Sequence, residues 1–392
     1  MKEDFLKYQA QTSPFPLSVQ VSRAEGSYIY DVDDKAYLDF VAGVSACSVG
    51  HRHPKVTEAI HQQVDRYMHV MVYGEYILQP AVVLTKRIAS LLPMPLEMTY
   101  LTNSGTEAME GAIKLAKRVT GRSQLISAHL AYHGNTIGSL SLMSYEDRKQ
   151  AFRPLVPGIS HIVFNEEEDL KKITKHTAAV VLETIQGGAG FILPTNDYLK
   201  KVRQRCSEVG ALLILDEIQP GIGRTGTFFS FEHYGVIPDI VVMGKGLGGG
   251  LPVGAFSASK AHMMLLSDNP MLGHITTFGG NPVVAAACLA TIEVVVSNDL
   301  MSRALDKEVL FRERLVHPLI KEIRGKGLML ALILPTPDLA VDLVMKAQQK
   351  GLILFFLLFE KKAVRISPPL TISEAEIYEG CDVILDILNE IS

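Results

Sequence analysis

A lysine framed by glycines follows a short apolar run in the segment Ile240-Val-Val-Met-Gly-Lys-Gly-Leu-Gly-Gly-Gly250. An ammonium group at the end of a buried strand loses hydration, so Lys245 should be easier to deprotonate than an ordinary lysine. A neutral amine is the form that bonds covalently to a carbonyl compound. The glycines let another molecule approach the backbone closely. Lys245 is therefore the first candidate for chemistry in this chain.

Two other interpretations fit the same motif. A lone Gly-Lys-Gly is compatible with a solvated lysine on a flexible turn, since a short motif needs a supporting context. Gly244, Gly246 and Gly249 also satisfy a dinucleotide fingerprint, which should open a helix. Instead, Leu251-Pro-Val-Gly-Ala-Phe-Ser257 follows and indicates turn and strand. No Ser or Thr follows Lys245, which excludes a Walker-type phosphate loop.

Carboxylates close two other apolar runs. From about residue 98, strand patterns alternate with helical patterns, which is typical of a parallel sheet covered on both faces. One apolar run ends at Glu183 and the next at Asp216. Ligands bind outside the carboxyl ends of such strands, so Glu183, Asp216 and Lys245 should face one crevice. Asp216 is the stronger functional candidate of the two acids, because a buried carboxylate needs a cationic or donor partner.

A helix start with hydroxyl groups follows the predicted strand at 98–102. The segment Ser104-Gly-Thr-Glu107 comes directly before a helical pattern. Free backbone N–H groups and hydroxyls at such a start hold a phosphate well, which makes Ser104, Gly105 and Thr106 candidates for that role. Ordinary capping of the helix by Ser104 or Thr106 is the alternative.

Pyridoxal 5′-phosphate is a cofactor that requires parts of this kind together. It needs a lysine for covalent attachment, an acid for its pyridine nitrogen, an aromatic ring to stack on and a helix start for its phosphate. Tyr132, in Ala131-Tyr-His-Gly-Asn-Thr-Ile-Gly138, is the aromatic candidate. An ordinary half-buried tyrosine is the alternative for that residue. The set as a whole indicates an enzyme that uses pyridoxal phosphate.

The motifs, taken in order, resemble the class III pyridoxal-phosphate aminotransferases of fold type I. The resemblance covers essentially the whole chain and rests on Asn103-Ser-Gly-Thr-Glu-Ala108, Tyr132-His-Gly134, Asp216-Glu-Ile-Gln219, Gly223-Arg-Thr-Gly226, Gly244-Lys-Gly246 and Thr277-Phe-Gly-Gly-Asn-Pro282. It implies an α/β fold: a large domain on a mostly parallel seven-stranded sheet, and a smaller α+β domain built from both chain ends. The implied parts are an N-terminal segment 1–45 packing with the small domain, a large cofactor-binding domain 46–297 and a C-terminal small domain 298–392.

The resemblance also implies roles for the matching residues. Lys245 holds the cofactor covalently and moves a proton during the reaction, while Asp216 pairs with the pyridinium nitrogen. Gln219 hydrogen-bonds the ring hydroxyl. Thr277 reaches the cofactor phosphate of a neighbouring subunit, so a homodimer with shared active sites is implied. The remaining cofactor contacts implied by the family pattern are Ser104, Gly105, Thr106, Tyr132, His133 and Glu183.

The implied reaction moves an amino group from an amino acid or ω-amine donor to a 2-oxo acid such as 2-oxoglutarate or pyruvate. Both half-reactions use one site in turn, which gives ping-pong kinetics. A pyridoxal-phosphate aminomutase of the glutamate-1-semialdehyde type is the alternative enzyme, because it shares the scaffold and the cofactor. A non-catalytic binding protein is disfavoured, because Lys245 and Asp216 are both intact.

By its length and by Arg365-Ile-Ser-Pro-Pro-Leu370, the chain is most similar to the acetylornithine and ornithine aminotransferases. Arg365 matches the family arginine that binds a substrate carboxylate, a role that suits its planar fork; a surface arginine at a strand end is the alternative. Asn135 stands where these relatives usually have an arginine, and Gly188 where a glutamate usually masks the arginine. We therefore expect carboxylate-bearing substrates, glutamate and 2-oxoglutarate among them, and not a standard ornithine-type ω-aminotransferase.

Composition limits the partners and the location. The chain has 392 residues, 47% of them hydrophobic, and a formal net charge of -4, so its overall charge favours neither nucleic acid nor an anionic membrane. The start Met1-Lys-Glu-Asp-Phe5 lacks the apolar segment of a signal peptide. The apolar run Leu352–Phe359 is far shorter than the ~20 residues of a membrane helix. We expect a cytoplasmic protein, in which this run is a core strand or an apolar wall at the active-site mouth.

No metal site is predicted. His51 and His53 lie close together in Gly50-His-Arg-His-Pro54, but no further ligand cluster accompanies them. The four cysteines are scattered without paired spacing, which suggests neither a zinc site nor a disulfide framework. Their predicted role is that of small buried hydrophobic residues, and they are Cys47, Cys206, Cys288 and Cys381.

Overall fold

The computed structural model describes residues 1–391 as an alternation of strands and helices. The strands are β1 Val21–Glu25, β2 Tyr28–Asp31, β3 Ala36–Asp39, β4 Met98–Thr102, β5 Gln124–Ala128, β6 Ile159–Ile162, β7 Thr177–Glu183, β8 Leu212–Asp216, β9 Ile240–Gly244, β10 Gly254–Ala258, β11 Glu322–Lys326, β12 Met329–Ile333, β13 Leu352–Ile353, β14 Phe355–Phe356 and β15 Ala363–Ile366. The helices are α1 Lys2–Tyr8, α2 Ala42–Ser45, α3 Pro54–Val64, α4 Gln79–Leu91, α5 Gly105–Thr120, α6 Ile137–Ser141, α7 Tyr198–Val209, α8 Lys260–Met263, α9 Pro282–Ser297, α10 Leu300–Arg314, α11 Pro337–Gln349 and α12 Glu374–Glu390. Short 3-10 helices lie at Glu146–Arg148, Gln150–Phe152, Glu167–Lys172, Ser230–Tyr234, Lys245–Gly248 and Met264–Leu266.

The largest sheet has seven strands in the order β4-β10-β9-β8-β7-β5-β6. Only β10 runs antiparallel, against both of its neighbours. Both faces of the sheet are buried, because Val180 and Leu182 of β7 belong to one hydrophobic cluster whereas Ala179 and Val181 belong to another. Burial on both faces explains why the central strands are apolar throughout. The expected α/β fold with a mostly parallel seven-stranded sheet is confirmed.

The functional candidates of this sheet lie at one edge. Glu183 and Asp216 are the last residues of β7 and β8, and they lie opposite each other in the parallel ladder. β9 pairs with β8 and ends at Gly244, so Lys245 is the first residue past the strand. Parallel strands end at the same edge, where ligands bind in open α/β sheets. The ladder therefore brings the lysine and both acids together, as the strand patterns predict.

Two four-stranded sheets form the smaller part of the fold. In the order β1-β2-β3-β13, the C-terminal strand β13 pairs in parallel with β3, Leu352 opposite Leu38. In the order β11-β12-β15-β14, all pairs are antiparallel, and Arg365 lies on β15 opposite Ala331. Both chain ends thus contribute to this smaller part, as expected. The domain boundaries after residues 45 and 297 stay a prediction.

The apolar run Leu352–Phe359 is not a single core strand, and that interpretation is wrong. Its first two residues form β13 in one small sheet, and Phe355–Phe356 form β14 in the other. The chain crosses between the sheets within this run, and Leu358 beyond β14 reaches the cavity described below. The alternative interpretation, an apolar wall at the active site, agrees with that position.

Among residues 1–391, no single helix is long and apolar enough to span a membrane. Helices α9 and α10 together reach the required length and composition, but the chain bends by 65° at the break between them. In the same range, no group of three or more His, Cys, Asp or Glu side chains is arranged to hold a metal ion.

The C-terminal helix α12 packs against the start of the chain. It begins with a capping box, in which the Ser373 hydroxyl accepts the N–H of Glu376 at 3.2 Å and the Glu376 carboxylate accepts the N–H of Ser373 at 2.7 Å. Gly380 in its middle faces the buried ring of Phe40, and a Cβ at this position would overlap that ring. The missing side chain therefore sets how closely the two chain ends approach.

We expect Gly380→Ala to destabilise the protein. Overpacking against Phe40 should cost about 1–3 kcal/mol, more than the ~1 kcal/mol that alanine gains over glycine in a helix. The midpoint of thermal unfolding should fall, and Phe40→Leu in the same chain should restore part of the loss by making room. Asp386→Ala, at an exposed position of α12, is the control and should leave the midpoint nearly unchanged. A midpoint that rises with Gly380→Ala would contradict this packing.

Candidate active site

A cavity of about 330 Å³ lies at the carboxyl edge of the seven-stranded sheet. The sheet edge contributes the side chains of Glu183, Asp216 and Lys245. Loops and neighbouring elements bring further predicted residues to the same cavity, namely Gly105, Thr106, Tyr132, His133, Gln219 and Arg365. Residues distant in sequence thus converge on one cavity.

Ser104 and Thr277 do not line this cavity. The Ser104 hydroxyl accepts the N–H of Glu107 at 3.3 Å, so it caps α5, which is the alternative considered from the sequence. Thr277 is exposed and lies in a separate surface depression together with Asn103 and Phe278. The expected contacts of Ser104 and Thr277 with a cofactor phosphate stay predictions.

Lys245 lies in strained backbone at the end of β9. Its φ angle of 41° is in the left-handed region, which costs of order 1 kcal/mol or more for a residue with a side chain. The side chain lines the cavity. Burial, reinforced by the positive charge of Arg365 and opposed by Asp216 and Glu183, lowers the pKa of Lys245 to about 8. This is the direction expected for an apolar strand end.

Asp216 is held from two sides. One carboxylate oxygen lies 2.8 Å from Nδ1 of His133, and the other accepts the N–H of Ile218 at 3.0 Å. Burial acts to lower the pKa of His133, but the bond to Asp216 outweighs it and raises that pKa above the ordinary value. His133 therefore fixes the orientation of the carboxylate. The sequence marked His133 as a cofactor contact but gave no signal for this bond.

Glu183 joins β7 to the loop that carries Tyr132. Its carboxylate accepts the N–H of Tyr132 at 3.2 Å and the N–H of Gly187 at 2.9 Å. Burial raises the pKa of Glu183 to about 7, with Asp216 adding to the rise and His133 opposing it. The Tyr132 hydroxyl accepts a hydrogen bond of 3.1 Å from the amide of Asn135. Both contacts fix the position of the aromatic ring at the cavity.

A cluster of hydroxyl groups lies at the start of α5. The Thr106 hydroxyl is 2.8 Å from that of Thr136 and 2.7 Å from that of Ser139. Gly134 is required beside them, because its φ is 127° and an added Cβ would overlap Thr106. Of these three hydroxyl residues, Thr106 lines the cavity, where its hydroxyl and the positive end of the helix dipole suit a phosphate. The sequence did not single out Thr136 and Ser139, whose hydroxyls hold that of Thr106, although the small polar residues after Tyr132-His-Gly134 were a usable signal.

Arg365 is a buried cation without an ionic partner. Only 5% of its surface is exposed, and its Nε and Nη1 atoms have no hydrogen-bond partner in residues 1–391. The guanidinium carbon lies 5.9 Å from the ring centre of Phe191. Burial lowers the pKa of Arg365 to about 10. An unpaired buried charge of this kind is costly unless an anion enters to pair with it.

These side chains fit pyridoxal phosphate. The cavity offers an amine of lowered pKa, a fixed carboxylate, an aromatic ring and a helix start with hydroxyl donors, which are the groups that this cofactor requires. The family model described as aminotransferase class-III matches residues 8–388. The chain belongs to the class III aminotransferases.

Similar proteins are named for the same reaction type. Acetylornithine aminotransferase of Mycobacterium leprae (strain TN) is 40% identical over 365 residues, which cover 92% of this chain and 88% of that protein. The ornithine aminotransferase of Toxoplasma gondii, described with partial occupancy of PLP at its active site, has a TM-score of 0.91 at 30% identity and covers 100% of this chain and 95% of its own. A thermostable omega transaminase mutant from Pseudomonas jessenii has a TM-score of 0.93 at 25% identity, and the match covers 100% of this chain and 98% of that chain.

Membership in this family sets the chemistry. The class III enzyme uses pyridoxal phosphate and transfers an amino group from a donor to a 2-oxo acid, which confirms the expected cofactor and reaction type. The comparisons do not favour the aminomutase alternative.

We expect the cofactor-free class III enzyme to bond covalently to added pyridoxal phosphate with a pH dependence set by Lys245. Only the neutral amine reacts, and a pKa lowered from 10.5 to about 8 predicts that the rate rises with pH and levels off above about pH 8. Stopped-flow absorbance across this pH range measures the midpoint.

The control for this prediction is Arg365→Met. Because the positive charge of Arg365 contributes to the lowered pKa of Lys245, its removal should move the midpoint to higher pH. A rate that keeps rising toward the pKa of an ordinary lysine in the unchanged protein would show that Lys245 is not perturbed as described.

Proposed function

We propose that this enzyme moves the amino group of a carboxylate-bearing amino acid to a 2-oxo acid, that glutamate and 2-oxoglutarate are one substrate pair, and that it is not a standard ornithine-type ω-aminotransferase. The observation that carries the proposal is the buried guanidinium of Arg365, which opens into the cavity with Nε and Nη1 unpaired within residues 1–391. A planar guanidinium binds a carboxylate through two parallel hydrogen bonds. A substrate carboxylate is therefore the natural partner of Arg365.

The surroundings of Gly188 support the same substrate class. A Cβ at Gly188 would lie 2.8 Å from the Cδ2 and Cε2 atoms of Phe359, so the phenyl ring occupies the space of a side chain at this position. The N–H of Phe359 also donates to the carbonyl of Gly188 at 2.9 Å. With an apolar ring here and Leu358 on the cavity wall, no acid at position 188 competes with the substrate for Arg365.

The cavity residues would each make a different contact with the cofactor. Pyridoxal phosphate supplies an aldehyde carbon that bonds to amines and a ring that accepts electrons. We assign to Lys245 the covalent attachment and the proton transfer at the substrate α-carbon, for which a pKa of about 8 is suitable. Asp216, oriented by His133, would pair with the protonated ring nitrogen. We assign contacts with the cofactor ring to Tyr132, Glu183 and Gln219. We assign contacts with the cofactor phosphate to Gly105 and Thr106.

N-Acetylornithine is a second candidate donor. It follows from the printed name of the Mycobacterium leprae relative, which is 40% identical to this chain. Asn135 and Gly188 are the two positions at which the chain departs from the pattern of that group, so we rank this donor second.

We also infer a homodimer in which Thr277 completes the cofactor site of the partner. Support comes from the exposure of apolar side chains around Thr277, among them Ile275 at 44% and Phe278 at 55%. Exposed apolar patches mark protein interaction surfaces. The cytoplasmic location expected from the sequence stays a prediction.

The substrate assignment is tested by titrating the cofactor-loaded enzyme with single amino donors and no acceptor while recording its visible spectrum. Glutamate should convert the bound cofactor to its amine form, and ornithine should do so at least about tenfold more slowly. Arg365→Lys should raise the KM for glutamate by about tenfold or more, because one point charge replaces a bidentate fork.

Arg324→Lys is the matched control for Arg365, since that arginine pairs with Glu322 at 2.7 Å outside the cavity. It should leave the KM unchanged. Activity with ornithine or N-acetylornithine comparable to that with the best donor would refute the proposed exclusion of ornithine-type substrates, and such activity with N-acetylornithine would support the second candidate.

The shared site is tested with mixed dimers of Lys245→Ala and Thr277→Ala subunits. Each parent dimer should have low aminotransferase activity, because one lacks the lysine and the other lacks the phosphate contact. If Thr277 serves the partner, a mixed dimer contains one intact site, and random mixing should restore about a quarter of the unaltered activity. If Thr277 serves its own chain, mixing restores nothing beyond the average of the parents.

A further inference from the structure

The one-turn helix α2 at the cavity has left-handed backbone in all four of its residues. The φ angles are 49° for Ala42, 59° for Gly43, 60° for Val44 and 67° for Ser45. Only one of the four is glycine, and consecutive left-handed residues with side chains crowd the Cβ against the following carbonyl. Such a conformation persists only where the surrounding structure imposes it, and it concentrates at functional sites. Val44 of this turn lines the cavity of Lys245.

A buried ion pair holds the start of the turn. One oxygen of the Asp39 carboxylate accepts the N–H groups of Val41 at 2.8 Å and Ala42 at 2.9 Å. The other oxygen lies 2.8 Å from Nε2 of His51. His51 is itself fixed, because its backbone exchanges two hydrogen bonds with Gly26. Asp39 is 1% exposed, so its interaction with His51 is shielded from water.

A positive charge on His51 would strengthen its hydrogen bond to Asp39. Burial acts to lower the pKa of His51, but the hydrogen bonds to Asp39 and Cys47 outweigh burial and raise that pKa above its ordinary value. The raised pKa favours the charged form of His51 beside the Asp39 carboxylate. A charge-assisted hydrogen bond of this kind is roughly twice as strong as a neutral one.

The turn contacts two elements that carry candidate catalytic and binding residues. The Ser45 hydroxyl accepts the side-chain amide of Gln219 at 3.4 Å. A Cβ at Gly246, the residue after Lys245, would lie 3.3 Å from the Ser45 carbonyl oxygen. The turn therefore packs directly against the loop of Lys245.

The strand of Arg365 is bonded to the same region. Ser367 donates its N–H to the carbonyl of Phe40 at 2.7 Å and its hydroxyl to the carbonyl of Val41 at 3.2 Å. A change in the turn would thus reach the arginine strand, the lysine loop and Gln219 together.

We propose that Asp39 and His51 are positioning residues of the active site, which hold α2 in its left-handed form so that Val44 closes the cavity wall and Ser45 orients Gln219. The proposal rests on the proposed function, because it concerns the same site. Neither Asp39 nor His51 lines the cavity; both act through α2. A merely structural pair would stabilise the fold without affecting the bound cofactor.

The first test compares His51→Leu and His51→Gln as cofactor-loaded enzymes. His51→Leu should lower kcat at least about tenfold, since small misplacements at a reacting site have large effects. The visible band of the bound cofactor should shift, because Gln219 loses its partner. His51→Gln should recover at least about a third of kcat, because its amide still donates to Asp39.

The control variant for this test is His176→Leu. His176 is exposed and lies just before β7, at the opposite end of that strand from Glu183. It should leave kcat and the spectrum unchanged. Retention of kcat and of the spectrum by His51→Leu would overturn the proposal.

A second test asks whether the defect comes from the left-handed turn. Ala42→Gly removes the Cβ that opposes this conformation, so it should restore kcat at least about threefold in the His51→Leu background. Restored thermal stability without restored kcat would show that the pair is only structural. If His51→Leu does not fold, Ser45→Ala replaces it: a shifted visible band at an unchanged unfolding midpoint supports the proposal, and an unchanged band overturns it.

These outcomes are independent of the substrate assignment. The measurements use whichever amino donor converts the cofactor fastest in the unaltered enzyme. If glutamate proves a poor donor, the proposed function fails while the comparison of His51 variants remains decisive.

Discussion

The parallel pairing of β7, β8 and β9 is the constraint on which the site depends. Because Glu183 and Asp216 lie opposite each other in the ladder and Lys245 follows directly on β9, the sheet fixes the lysine and its acids before any loop is placed. Hydrogen bonds between central strands are among the least mobile parts of a protein. Loops then supply Tyr132 and His133, which bond to the strand-end carboxylates. The sheet therefore positions the lysine and the two acids, and the loops bonded to them complete the site.

Charges in the cavity are coupled. Arg365 contributes to the lowered pKa of Lys245, whereas Asp216 and Glu183 act to raise it. A carboxylate bound to Arg365 offsets the positive charge that Lys245 experiences, because Coulomb interactions are strong in a site with little water. Substrate binding should therefore make Lys245 a stronger base at the moment when a proton has to move. The same pairing also removes the free-energy cost of an unpaired buried charge on Arg365.

Much of this arrangement could be predicted from the sequence, because its signals are local. An apolar run that ends in a carboxylate or in Gly-Lys-Gly marks a strand end, and strand ends of a parallel sheet meet at one edge. The resemblance to class III aminotransferases extended this to the fold, the cofactor and the reaction. The bond between His133 and Asp216 could not be predicted, since it joins residues 83 positions apart through one ring nitrogen.

The left-handed turn also left no usable signal. Positive φ angles are expected at glycine, yet three of the four residues in α2 have side chains. The division of Leu352–Phe359 between two sheets was equally hidden, because an apolar run does not reveal which neighbours its strands pair with. In each case the deciding partner is distant in the chain. Local pattern thus predicts where strands end, and tertiary contacts decide how the side chains are aimed.

Under the proposed function, selectivity would follow from the unpaired positive charge of Arg365. The family pattern would place an acid at position 188 to pair with Arg365, but Gly188 provides none and Phe359 fills the space. The free protein therefore retains an uncompensated buried cation, whose cost is recovered only when an anion enters. Under the proposed function, an ammonium group brought next to Arg365 would meet a like charge with no acid at position 188 to pair with it, which is a repulsive element against the wrong end of a diamine substrate. Under the proposed function, discrimination would thus depend as much on the acid absent from position 188 as on Arg365.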